Sequence, residues 1–215
     1  MKKANKLILL FLIIFSGICN AQRNGDHLEP ANSIFDIYDF RFEYYSKVRK
    51  VLFDGLSDRP EIRFLTIPSF ITERVLQVDY DENNDKYYIT YHICENSIWY
   101  NQYEKKPKQI TVKKHKKEIE KQSVELIKSL YKEAIFQTKF QKKDWVGLDG
   151  ANYYFYTEGN TGTIWSPSDN TKMAQLVEIS NELIRKTTEN NNDTIIVFDN
   201  DFQEKIKNLI AQLQE

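Results

Sequence analysis

Cysteine, histidine, glycine and proline are all scarce in this chain, and each scarcity closes off a class of answer. In 215 residues there are 2 cysteines, 3 histidines, 7 glycines and 5 prolines. Cys19 falls inside an N-terminal leader pattern, so removal of the leader leaves Cys94 alone and no intrachain disulfide can form. Cys94 sits in an aromatic stretch and reads as a small buried hydrophobe. The histidines His27, His92 and His115 have no metal-ligand spacing, and no G-x-S-x-G nucleophile motif is present. Charge of one sign is lacking too, with a formal net charge of −1. Losing Lys2, Lys3 and Lys6 with the leader takes 30 basic side chains to 27 against 31 acidic, near −4. A mildly acidic chain has no bulk electrostatic reason to bind nucleic acid. Nothing implies a cofactor.

Long hydrophobic runs are missing as well. The longest, 7–15, is too short to span a bilayer comfortably, and with three lysines before it and Cys19-Asn20-Ala21 after it reads as a secretory signal peptide over 1–21. Cleavage is expected after Ala21, which places the chain in the periplasm or outside a bacterial-type cell. A lipid anchor at Cys19 is disfavoured because Ile18 stands where a small residue is wanted. Residues 22–32 are polar and aperiodic, an expected flexible arm, and 33–215 form one domain with no linker rich in proline or serine.

What is abundant is aromatic and periodic. The stretch 144–186 reads as two aromatic strands, a turn, and an amphipathic helix. Asp149-Gly150 is a turn dipeptide, and Gly159-Asn160-Thr161-Gly162 offers the positive-φ positions of a hairpin loop. Ser168, Asp169 and Asn170 are candidate helix caps. Met173, Leu176, Val177, Ser180, Leu183 and Ile184 then make one stripe at spacings of three and four. The helix is expected to cover the hairpin and form the packing centre.

Before it, Tyr44, Val48, Val51, Leu52 and Leu56 keep helical spacing over 42–56. The segments 61–67, 74–80 and 87–93 read as strands, the last two joined by a turn at 81–85. Shorter strands are expected at 98–100 and 109–113, then a long helix over 116–138. An edge strand at 194–198 and a terminal helix close the chain. Strands in groups, with helices between groups, predict a single α+β domain: a mainly antiparallel sheet packed with three to four helices.

The chemical candidates each compete with a plain structural role. Asp79 to Asp85 begins like a calcium loop, but Asn84 replaces the required glycine and Thr90 the bidentate glutamate, so a solvated turn is the better reading. His92 and Cys94 share one strand face without a third group to orient them. The basic run 113–117 is expected to be a solvated strand-to-helix junction. Trp99 and Trp165, at expected strand ends, are the candidate binding residues, since flat rings anchor protein partners and stack on glycans; Trp145 is weighted below them. The expectation is therefore an exported, non-enzymatic binding module with a protein or glycan partner. The alternatives are an envelope hydrolase or transferase with scattered catalytic residues, and a calcium-dependent module using the 79–85 turn.

Overall fold

The computed structural model describes residues 26–31, 41–140, 149–189 and 195–215. The strands are β1 (Glu29–Ala31), β2 (Ile62–Pro68), β3 (Arg74–Asp81), β4 (Lys86–Cys94), β5 (Val112–Ile119), β6 (Ala151–Thr157), β7 (Asn160–Trp165) and β8 (Ile195–Ile196). The helices are α1 (Phe42–Leu52), α2 (Ile98–Asn101), α3 (Lys121–Phe136), α4 (Lys172–Thr188) and α5 (Asn200–Gln214). All strands join one sheet in the order β1-β7-β6-β2-β3-β4-β5-β8, antiparallel except for the pair β5–β8. The α+β expectation is met.

The sheet is covered on both faces. On one, Ile62, Phe64, Leu76, Val78, Ile89 and Phe155 pack under α3, α4 and α5. Alternation sends Leu65, Ile67, Val75 and Cys94 to the other face, where α1 lays Tyr44, Tyr45, Val48 and Leu52 over them. Helices on both sides explain why these strands read as nearly continuous apolar runs. Within the main core the Tyr131 and Ser180 hydroxyls meet at 2.8 Å, which accounts for a serine in the apolar stripe of α4.

Several expectations need correction. The helix placed at 116–138 begins only at Lys121, because 116–119 pair with Thr90 to Tyr87 as the end of β5. Glu120 is a one-residue corner, so no turn residue marks the change. The stretch 98–100 is not a strand but the short helix α2, capped by the Ser97 hydroxyl, which accepts from Tyr100 N. The hairpin turn is Glu158-Gly159, both at positive φ, and Asn160 to Gly162 belong to β7. The cap of α4 is Thr171, which accepts from Ala174 N at 3.1 Å, rather than Ser168, Asp169 or Asn170.

Two corrections concern packing. The helix that follows the hairpin does not cover it: α3 packs on β6 and β7, while α4 lies over β4 and β5. Ile179 is also buried, because α5 closes on a further side of α4. The arm is the second case, since its described residues 26–31 are held. Glu29 to Ala31 pair with β7, and Leu28 is fully buried in the space left by Gly162, where a Cβ would stand 2.7 Å from Leu28 Cδ1. Trp145, the 1–21 leader and Cys19 lie outside the described residues.

Candidate functional site

The end of the sheet where β2 stops and β3 starts is built on a buried carboxylate. Glu73 is fully buried and accepts from the Tyr44 hydroxyl at 2.8 Å, Ile98 N at 2.9 Å, Trp99 N at 3.1 Å and Ser97 Oγ at 3.4 Å. A carboxylate out of water needs that many donors, and here they come from α1 and the start of α2. Burial, and next the Glu73 charge, push the Tyr44 phenol far above its ordinary value. The result pins α2 to the sheet.

The pinned helix aims its aromatics. Trp99 packs edge-on between Tyr44 and Tyr103, with centroids 5.1 and 5.4 Å away, and is half-buried. The Tyr100 hydroxyl donates to Ser69 O at 2.9 Å, and Ser69 N donates to Gly150 O at 2.8 Å. Over Gly150 lies the half-buried Trp165 ring, whose Cζ2 would be 2.9 Å from a Cβ there. The two tryptophan candidates, distant in sequence, therefore border one strand end. What that end exposes is different: Phe70 at 65%, Ile71 at 54%, Tyr100 at 46% and Tyr103 at 68%. Sequence reasoning passed over these four. A signal existed in Phe70-Ile71, two large apolar residues directly after Pro68-Ser69 in a loop between strands.

The residues weighed for chemistry are engaged otherwise. His92 and Cys94 do share a face of β4, buried beneath α1. His92 Nδ1 lies 2.8 Å from Leu52 O, and a carbonyl only accepts, so Nδ1 carries the proton and Nε2 is left as an acceptor. Burial holds its pKa below the ordinary histidine value. The Cys94 thiol is pushed up to about 12, chiefly by burial and then by Glu73, so thiolate is negligible at neutral pH. In the acidic turn Asp79 takes Gln77 and Ser57, Asp81 takes Asn83 N and Asn84 Nδ2, and Asp85 takes the Tyr80 hydroxyl. Among the described residues no three His, Cys, Asp or Glu side chains are grouped to hold a metal ion.

The basic run is a strand rather than a junction. Lys114 pairs with Asp54 at 3.0 Å, Lys116 sits 4.3 Å over the Tyr88 ring, and Lys117 donates to the carbonyls of Lys186 and Glu189. Beside it a cleft of about 720 Å³ opens between residues 54–57 and the sheet, with Thr90, His92, Lys114 and Lys116 in its wall. It can hydrogen-bond a polar molecule. The Ser57 hydroxyl in its wall donates to Asp79. No helix of the described residues is long and apolar enough to cross a membrane. No family model, curated protein or solved structure matches the chain.

Proposed function

We propose that this chain is a non-enzymatic binding protein, exported behind the 1–21 leader, that docks a protein partner through the strand end carrying Phe70, Ile71, Tyr100 and Tyr103. The observation that carries the reading is their joint exposure on a rigid support. Large apolar side chains at 46–68% exposure cost hydration at every moment the surface is free, and clusters of them mark contact surfaces. Tyrosine suits such a surface, since it covers area with few rotatable bonds and keeps a hydroxyl for the rim. The buried Glu73 network beneath it keeps the surface in one shape before binding, which lowers the ordering cost of association. Against an enzyme stand the commitments of His92 and Cys94 to the protein interior.

The test is site-directed photocrosslinking. A benzophenone amino acid at Phe70 of the exported chain in its host should give a discrete adduct, identified by mass spectrometry, that Tyr103→Ser weakens. The same group at the exposed Asn208 of α5 serves as control. Equal adducts from both positions, or none from either, would sink the docking reading; an adduct to glycan would transfer the surface to the other class of partner.

A further inference from the structure

Two charged side chains withdrawn from solvent in this fold, Glu73 and Arg63, carry their counterparts. Glu73 collects four donors. Arg63, similarly enclosed, donates to Gln77 Oε1 at 2.8 Å and Ser57 O at 2.7 Å and lies over the Phe53 ring. Arg74 differs: half-buried, it has no acceptor, ion pair or ring partner among the described residues.

Its neighbours make the lack sharper. Arg74 starts β3 on the α3 side of the sheet, by alternation with Leu76 and Val78. In register across four strands stand Tyr153, Thr66, Arg74 and Ile93, each about 4.8 Å from the next. Tyr91, two residues before Ile93, lies diagonal to Arg74 on the same face. The Tyr91 and Tyr153 hydroxyls also find no partner among the described residues, and Thr66 Oγ1 is buried with none. Burial raises both phenols, with the Arg74 charge pulling against it, so both stay protonated donors that feel the guanidinium. A guanidinium brings five N–H donors and no acceptor, so this corner holds a surplus of donors and one positive charge.

We infer that Arg74, flanked by the Tyr91 and Tyr153 hydroxyls, forms an anion site for a single carboxylate carried on an apolar group. One unpaired guanidinium matches one negative charge in the bidentate geometry that arginine favours, whereas a doubly charged phosphate would be left half-neutralised. The surroundings select the rest of the ligand: Phe64 stacks on Tyr153 at 5.9 Å and Ile93 closes the row. Phe70 and Ile71 come just before Arg74 in the chain, so the site adjoins the docking surface. A partner's chain terminus ending in an apolar residue and a free aromatic acid share this chemistry. The site itself stands on the strand register; only the first of those two sources rests on the docking reading.

The experiment follows the Arg74 Nε–H resonance of the full chain during titration with 3-phenylpropionate, with its amide, and with a short peptide ending in free or amidated phenylalanine. The carboxylates should shift it saturably and the amides should not. Tighter binding by the free peptide assigns the site to a chain terminus, and equal binding assigns it to a small acid. Arg74→Gln should weaken binding about tenfold or more, as loss of a charge-assisted pair does, and Tyr153→Phe, which keeps the ring, should weaken it less. Equal response to acid and amide, or no saturable shift, overturns the inference. Photocrosslinking from Phe70 reports separately, so a silent carboxylate titration beside a Phe70 adduct removes the anion site and leaves the docking surface.

Discussion

The fit of Leu28 against Gly162 can be worked through as a double-mutant cycle. Leu28 is fully buried and precedes a strand of only three residues, so it is the main apolar anchor for that end of the chain. Leu28→Ala removes buried methyl groups and leaves a cavity, at a typical cost of about 2–5 kcal/mol. Gly162→Ala adds a Cβ 2.7 Å from Leu28 Cδ1, 3.1 Å from Leu28 Cβ and 3.4 Å from Ile135 Cγ1. Overpacking of that kind costs about 1–3 kcal/mol. With alanine at 28 the nearest clash is gone and the new methyl fills part of the cavity, so Gly162→Ala should then cost under about 1 kcal/mol. The coupling is thus about 1–2 kcal/mol, well outside the scatter of about 0.5 kcal/mol for independent sites. Urea unfolding of the four proteins measures it, and a lower m-value in Leu28→Ala would report β1 leaving the sheet. Additive effects would refute the argument, because the two side chains would then not be sharing the space.

Three further outcomes are expected. Leu176→Ala should destabilise by about 2–5 kcal/mol and Glu178→Ala by under about 0.5 kcal/mol, since the first is fully buried under the sheet and the second is an exposed partner of Lys205; matched thermal melts that coincide would overturn the placement of α4. Cys94 should resist a thiol reagent in the native protein and react on unfolding, its thiol being buried and pushed up to about 12; labelling at the rate of a free thiol would contradict this. His92 binds its proton less readily in the folded chain than unfolded, so its contribution is present above the ordinary value of 6.5 and is lost as pH falls through the lower folded value. Denaturation curves at stepped pH should show that acid loss shrink in His92→Gln.

Where one period ran undisturbed, the chain announced its structure. The hairpin of Tyr87 to Ile93 with Leu76, Val78 and Tyr80, and the stripe of α4, each follow from spacing alone. What spacing does not carry is which layer covers which. The hairpin 151–165 is roofed by α3, an element that precedes it, since contacts between elements depend on the connections around the whole sheet. The arm was misread for a local reason: Leu28 looks solitary among polar residues, and only the missing side chain at Gly162, far along the chain, gives it a place. The candidate site was half legible. Trp99 and Trp165 border one end of the sheet, the exposed side chains there are Phe70, Ile71, Tyr100 and Tyr103, and the donor row through Arg74 exists only in the strand register.

The run Lys113 to Lys117 shows how far charge alone misleads. Five basic or near-basic residues in a row suggested a solvated junction, because a strand through the middle of a covered sheet seldom carries them. The strand is nevertheless there, and its position explains the composition. Among the described residues β8 pairs only with Glu118 and Ile119, so the outer edge of β5 before them faces no strand. Lysines along such an edge deter another chain from pairing with it. The same side chains also serve the fold individually. Lys114 ties the loop after α1, Lys116 covers Tyr88, and Lys117 lies at the C-terminal carbonyls of α4, where the helix dipole favours a cation. A polyanion competing for these lysines would have to break those contacts first. Arg74, by contrast, is half-buried at a strand end and has no acceptor among the described residues, a feature that no composition count would single out.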